Sequence, residues 1–176
     1  MSFAVVQNGA IRQVLQMDVA FTVGEKQYSS AFLRNSTAQE KLEAGVWEII
    51  EGVRPDDRFY WVSGASYHIN EVNSTVEASY PATAKQLEDT TETVEGQEEP
   101  IVTKGLKSQF IAQAKQAAGS ALAATDWMVI RKAERDVAIP ADVVADRTQI
   151  IADCTAKEAA ITAATTVEEL IAALQG

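Results

Sequence analysis

The 176-residue sequence is short of the residues on which many catalytic and disulfide-stabilised proteins depend. It has one histidine, His68, and one cysteine, Cys154, which excludes an internal disulfide framework. Fifteen Lys and Arg stand against 25 Asp and Glu, and the net charge of −10 argues against nucleic acid as the main partner, because that binding needs clustered cations. The apolar runs are far shorter than the about 20 residues that span a bilayer. We see no signal-peptide pattern at the N-terminus, and we expect neither a nucleic-acid nor a membrane partner.

The aromatic and alanine contents divide the chain into two parts. Ten of the twelve aromatics lie between Phe3 and Tyr80, whereas residues 101–176 hold two aromatics and 19 alanines. Aromatic residues favour sheets and alanine favours helices. Residues 89–100, DTTETVEGQEEP, carry five acidic residues and no basic ones, which is typical of a segment that buries too little surface to become ordered. We therefore predict an α+β protein with a β-rich module in residues 1–88, an acidic linker in 89–100 and an all-α module in 101–176.

Turn and capping signals predict a small antiparallel sheet with one short helix in the first module. Asn8-Gly9 between two apolar stretches is typical of a type I′ hairpin, and Gly24-Glu25 marks a second candidate hairpin. Thr37 and Glu40 have the spacing of a helix capping box. Further strands are predicted at 47–50, 58–62 and 67–69, and residues 70–81 are predicted to be polar and extended.

The alanine-rich module reads as four helices. Thr125 and Asp126 are typical of a helix start, and Trp127, Arg131 and Glu134 then fall on one helical face. We predict that Trp127 is buried where two helices, joined by a turn before Pro140, close on each other, with Arg147 and Cys154 on one face of the second. The first helix of this module is predicted from about Lys104 to Ala123, and an alternative to a compact bundle is that this helix is exposed and pairs with another copy or a partner. No internal repeat is evident.

Candidate chemistry is sparse. A Ser–His–Asp site would have to use His68, which sits in a predicted strand without a nucleophile elbow. Asp56 and Asp57 follow Arg-Pro and are typical turn residues, with a cation site as the alternative. A zinc site needs more ligands than one His and one Cys supply. We predict no catalytic residues, no cofactor and no metal.

The sequence Phe59-Tyr60-Trp61 offers a different kind of site. In a strand, Phe59 and Trp61 face one way and Tyr60 the other, so at least one face is expected to be core and the other can be an interface. The candidate interface or module-core residues are Trp127, Arg131, Glu134, Arg147, Phe59 and Trp61.

Two parts of the chain resemble bacteriophage tail-associated proteins, including tail-fibre proteins and tail assembly chaperones. The C-terminal resemblance lies in TDWMVIRKAERDVAIPADVVADR and AAITAATTVEEL, and the N-terminal one in AVVQNGAIRQV, FTVGEKQYSSAFLRNSTAQEKLEAGVWEI and DDRFYWVSG. The residues that carry the C-terminal resemblance are Asp126, Trp127, Arg131, Glu134, Pro140, Arg147 and residues 166–170.

The resemblance implies a non-enzymatic protein that binds other tail or tail-fibre proteins, located in the virion tail or in the host cytoplasm during assembly. It implies no catalytic residue. A permanent structural subunit of the virion, with a helical module that forms a homo-oligomer, is the alternative, and a hydrolase that uses His68 is a third reading.

Overall fold

The computed structural model describes residues 1–93 and 99–175. The chain divides into two compact units, Met1–Thr83 and Ala84–Gly176. Strands dominate the first unit and helices the second, in agreement with the predicted α+β class.

The first unit contains nine short strands and two short helices. They are β1 (Ser2–Gln7), β2 (Ala10–Leu15), β3 (Phe21–Val23), β4 (Lys26–Tyr28), α1 (Phe32–Asn35), α2 (Ala38–Glu43), β5 (Val46–Glu51), β6 (Tyr60–Val62), β7 (Ser66–Asn70), β8 (Thr75–Ser79) and β9 (Ala82–Ala84).

The local signals of the first unit are confirmed. Asn8 and Gly9 both have positive φ, 54° and 68°, and join β1 to β2 as a type I′ turn requires. Thr37 caps α2 by accepting from the backbone N–H of Glu40, while the Glu40 carboxylate accepts from the backbone N–H of Thr37. Gly45, at φ 73°, ends this turn and leads into β5.

The sheet is larger than predicted and is not purely antiparallel. Its five strands are ordered β2-β1-β5-β8-β7, and β5 runs parallel to β8 while the other neighbours are antiparallel. The prediction of a small antiparallel sheet is therefore wrong in size and in topology. The missing strand is β8, inside residues 70–81, which were predicted to be polar and extended: Val76 and Ala78 alternate with polar residues and are buried.

Both faces of the sheet carry apolar clusters, because alternate residues of β1 point to opposite sides. One face is covered by the β3–β4 hairpin and α1, and its buried members are Phe3, Val5, Leu15, Phe21, Tyr28, Leu33 and Val46. The other face is lined by Ala4, Val6, Ile49, Val76 and Ala78. The partly buried side chains that pack on this second face are Ile11, Trp47, Tyr67 and Ile69.

The described part of the second unit contains two short strands that pair with each other and then four helices. They are β10 (Thr90–Glu92), β11 (Ile101–Thr103), α3 (Leu106–Ala123), α4 (Asp126–Arg135), α5 (Ala141–Ala163) and α6 (Val167–Gln175). α5 packs against both α3 and α6. Among the described residues of this unit, the buried apolar side chains are Leu106, Ile161, Ala164, Val167 and Leu170.

The predicted linker 89–100 is ordered at its described N-terminal end. Residues 90–92 pair with 101–103 as an antiparallel hairpin, while residues 94–98 lie outside the described residues. Asp89 has a structural role, since its carboxylate accepts from the backbone N–H of Gly105 at 2.8 Å and from Lys104 Nζ at 3.0 Å. The composition of residues 89–100 predicts only a solvated acidic segment. It does not indicate that one of these carboxylates caps the start of α3.

The helix starts differ in detail from the prediction. Thr125 precedes α4, yet its hydroxyl donates to the Leu122 carbonyl at 3.1 Å and makes no capping bond to α4. Pro140 stands one residue before α5 rather than in its first turn. At α6 the backbone N–H of Glu169 donates to Thr166 Oγ1, while the Glu169 carboxylate reaches back to Thr165.

Gly105 and Gly119 provide a matched test of the hairpin–α3 junction. A Cβ at Gly105 would lie 2.3 Å from the Glu88 carbonyl oxygen, whereas a Cβ at Gly119, inside α3, meets nothing within 4 Å. We expect Gly105→Ala to destabilise the second unit by about 2 kcal/mol or more, because backbone has to move. Gly119→Ala should stabilise it by about 0.5–1 kcal/mol through helix propensity. Urea unfolding followed by circular dichroism measures both, and equal effects would contradict the close approach at Gly105.

Asp89 makes the second unit acid-sensitive. Hydrogen bonds from Ser108, Lys104 and the Gly105 backbone lower the pKa of Asp89 from 3.8 to about 2. Because the folded pKa lies below the unfolded one, this stabilisation is complete above 3.8 and is lost as the pH falls towards about 2. An NMR titration should place the carboxyl pKa near 2, and Asp89→Asn should flatten the pH dependence of unfolding in that window. A carboxyl that titrates near 3.8 would exclude the cap.

Candidate protein-interaction site

Arg147 joins three helices of the second unit. Its Nη1 donates to the carbonyl of Leu122 in the last turn of α3 at 2.9 Å and to Thr125 Oγ1 at 2.6 Å, and its Nη2 lies 2.9 Å from Asp126 Oδ1 in the first turn of α4. The Arg147 side chain is only 18% exposed. One guanidinium therefore binds a carbonyl at the end of α3, which also accepts from Thr125, and fixes the start of α4, which sets the direction in which α4 leaves the α3–α5 pair.

The apolar face of α4 is open. Trp127 is 52% exposed and Ile130 is 57% exposed, three residues apart on one face. The Arg131 guanidinium carbon lies 4.8 Å from the centre of the Trp127 ring. Among the described residues, Arg131 Nε is the buried side-chain nitrogen or oxygen atom without a hydrogen-bond partner. The face thus combines an aromatic ring, an aliphatic side chain and a guanidinium held against the ring.

Trp127 does not close two helices on each other, as the sequence suggested. The ring stays half in water, and the connection between α4 and α5 is made by Arg147 and Asp126. Glu134, two turns after Trp127, is exposed. Of the predicted site residues, the structure brings Trp127 and Arg131 together at one place and attaches Arg147 to the start of the same helix.

Phe59 and Trp61 belong to the first unit and have different surroundings. Phe59 is 3% exposed, whereas Trp61 is 68% exposed. The prediction that they share a face is wrong because a turn places Phe59 before β6: the backbone N–H groups of Phe59 and Tyr60 both donate to the Asp56 carbonyl. Strand alternation therefore begins at Tyr60, and Trp61 is the aromatic that a partner can reach.

The remaining candidates have local roles. Asp56 accepts from the Arg58 backbone and guanidinium, and Asp57 pairs with Arg54, so their assignment as turn residues is confirmed. His68 is exposed on β7 opposite Glu77. No group of three metal-ligating side chains occurs in residues 1–93 and 99–175, and no helix within those ranges is long and apolar enough to cross a membrane.

The sequence predicted which residues share one face of α4, but it did not predict the ion pair that fixes the start of this helix. The ion pair of Asp126 with Arg147 joins residues 21 positions apart, and no periodicity within one helix indicates such a contact. Both residues had been singled out, Asp126 for the helix dipole and Arg147 for its helical face. A carboxylate at a helix start and an arginine in the next helix are too common to predict a pair.

Comparison with known proteins adds no relative. No protein-family model, no curated protein and no solved structure matches this chain.

The role of Arg147 can be measured by substitution. We expect Arg147→Met to destabilise the second unit by about 2–3 kcal/mol, because hydrogen bonds to a charged group contribute about 1.5–3 kcal/mol and methionine cannot replace the bonds to Leu122, Thr125 and Asp126. Arg147→Lys should recover part of that loss, since one ammonium cannot reach all three acceptors.

The matched control is Lys132→Met, which removes the exposed ion pair to Asp136 and should cost less than about 0.5 kcal/mol. Urea unfolding of the three variants and the wild type gives the comparison. If Arg147→Met lowered the free energy of unfolding no more than Lys132→Met does, Arg147 would not organise the three helices.

Proposed function

We propose that this chain is a non-enzymatic protein that acts by protein–protein contact in the assembly of a bacteriophage tail or tail fibre. The observation that carries the contact role is the open face of α4, where Trp127 and Ile130 are each more than half exposed. Tryptophan and arginine are the side chains most enriched at energetically dominant contacts between proteins. A ring that gained nothing from exposure would be expected inside the helical unit rather than on its surface.

The geometry of α4 favours the interpretation that its open face is a binding surface. It does not favour the alternative, that the face is part of a loosely packed core. Arg147 and Asp126 fix the start of the helix, so the exposed face is presented at a set angle and does not have to be ordered on binding. Arg131 lies against the Trp127 ring and is partly exposed, so its guanidinium could pair with a carboxylate of a partner. Such a partner would bring an apolar side chain for Trp127 and an acceptor for Arg131.

The assignment to a phage tail rests on the resemblance of the two sequence segments. Two residues that carry it, Asp126 and Arg147, build the junction of three helices, and two others, Trp127 and Arg131, form the exposed face. The resembling residues thus divide into a pair that shapes the unit and a pair that is available to a partner. The proposal treats the α4 face as the contact that tail or fibre proteins use.

A permanent structural subunit of the virion is the second candidate. The exposed apolar side chains of α4 and α5 favour it, because a subunit retained in the particle has such side chains covered.

A hydrolase has less support. His68 lies in the middle of β7, opposite Glu77, and its side chain is exposed while the other residues of β7 are partly buried. Its Asn variant should leave the assembly role unchanged.

Trp127→Ala tests the proposal when compared with Val129→Ala, which removes another partly exposed apolar side chain of α4. We expect Trp127→Ala to lower the free energy of unfolding by only about 1–2 kcal/mol, since full burial of such a ring costs about 3–5 kcal/mol to undo and half of this ring is in water. Assembly should fail: a phage that lacks the gene, supplied with Trp127→Ala, should give few complete tails by electron microscopy, whereas Val129→Ala should restore them.

Complete tails with Trp127→Ala would exclude the α4 face as the contact. Complete tails without any copy of the gene would exclude the assembly role. Quantitative mass spectrometry of purified particles then separates the two candidates, because a fixed copy number indicates a virion subunit and absence indicates an assembly factor.

A further inference from the structure

The break between α3 and α4 is confined to very few residues. α3 ends at Ala123 and α4 begins at Asp126. Ala124 has helical backbone angles, φ −59° and ψ −24°, whereas Thr125 departs from them with φ −116° and ψ 1°. Thr125 therefore carries the bend. A change of about 50° in φ and about 40° in ψ at this one residue would make its backbone helical as well.

The sequence around the bend gives no local reason for a break. Residues 120–135, SALAATDWMVIRKAER, contain no glycine and no proline. Most of them are Ala, Leu, Met, Arg, Lys or Glu, the strongest helix formers. Sharp bends in helices usually arise at proline or glycine, or where a side chain intrudes on the helical hydrogen bonds. The cause of this bend therefore has to be sought in a side chain that binds at the junction.

Arg147 of α5 is that side chain. In a continuous helix the Leu122 carbonyl would accept from the backbone N–H of Asp126, four residues later. Here it accepts from the backbone N–H and the hydroxyl of Thr125, at 3.0 and 3.1 Å, and from Arg147 Nη1 at 2.9 Å. Nη1 also donates to Thr125 Oγ1 at 2.6 Å, and Nη2 lies 2.9 Å from Asp126 Oδ1. One guanidinium thus binds residues on both sides of the bend.

Side-chain packing does little to hold α4 in its present direction. None of the side chains of α4 is buried, and the two that are half-buried are Met128 and Arg131. The connection to α5, residues 136–140, extends up to about 17 Å, which gives α4 room to move while α5 stays packed on α3. The polar contacts of Arg147 are therefore the main restraint on α4.

We infer that α3 and α4 form a hinged helix, bent at Thr125 and held in the bent form by Arg147. When the Arg147 contacts are lost, the carbonyls that end α3 and the N–H groups that begin α4 pair with each other, and a single helix from Leu106 to Arg135 results. Arg147 thereby sets the direction in which the exposed Trp127 side chain points. The hinge is a property of this chain alone and does not rest on the proposed function.

The test is a distance measurement across the bend by pulsed electron paramagnetic resonance. Spin labels are attached to exposed positions of α3 and α4 through Gln113→Cys and Glu134→Cys, with Cys154→Ser to remove the native thiol. In one continuous helix the two Cα atoms would lie about 32 Å apart. We expect a shorter distance in the otherwise wild-type chain and a shift to about 32 Å with Arg147→Met. Lys132→Met, which removes an ion pair within α4, should leave the short distance unchanged.

A second variant keeps the test independent of any folding defect in Arg147→Met. Thr125→Ala retains Arg147 but removes the hydroxyl that it binds, and should move part of the population to the long distance. It should also slow hydrogen exchange of the Asp126 amide, which gains the Leu122 carbonyl as acceptor. Thr155→Ala, which removes a hydroxyl of α5 that binds the Ile151 carbonyl, is the matched control and should change neither readout.

Two results would overturn the hinge. One is a distance near 32 Å in the chain that retains Arg147 and Thr125. The other is a short distance that persists in both Arg147→Met and Thr125→Ala. Neither result would exclude the assembly role, which the complementation by Trp127→Ala and Val129→Ala decides separately.

Discussion

The second unit depends on one set of contacts, those that the Arg147 guanidinium of α5 makes where the chain turns from α3 into α4. The Leu122 carbonyl in the last turn of α3 accepts from the backbone N–H and the hydroxyl of Thr125, and Arg147 Nη1 adds a donor from α5. Arg147 Nη2 pairs with Asp126 and ties the next helix to the same point. Because α4 is positioned by polar groups at its first turn, its apolar side chains are not required for packing there. The exposure of Trp127 follows from that arrangement.

The sequence predicted features that depend on neighbouring residues. The Asn8-Gly9 turn and the Thr37–Glu40 capping box each lie within a few residues, and each is confirmed. Features that join distant residues were missed. The parallel pairing of β5 with β8 begins with Glu48 opposite Thr75, and nothing in either strand indicates it. The acidic composition of residues 89–100 likewise hid the cap that Asp89 provides for α3.

The same distinction between neighbouring and distant residues applies to the candidate site. Helical spacing placed Trp127 and Arg131 on one face, and the structure brings them within 4.8 Å. Whether that face is inside or outside depends on what the other helices leave uncovered, and spacing cannot report this. The same holds for Phe59 and Trp61, where a single turn at Asp56 moves Phe59 out of the strand and separates the two rings. The sequence therefore identified these residues, but only their exposure in the structure shows which belong to the core and which to the surface.

The parallel β5–β8 pair has a consequence for how the first unit folds. β1 and β2 are joined by two residues and can pair as soon as both exist, but β5 waits for a strand that lies beyond β6 and β7. Until β8 pairs with it, one edge of β5 has no neighbour, so the β8–β7 side of the sheet is added late. Such non-local pairing raises contact order and slows folding, whereas each helix of the second unit forms from hydrogen bonds between residues four apart in sequence. The two halves of one chain should therefore refold on different timescales, with the sheet completed last although it is synthesised first.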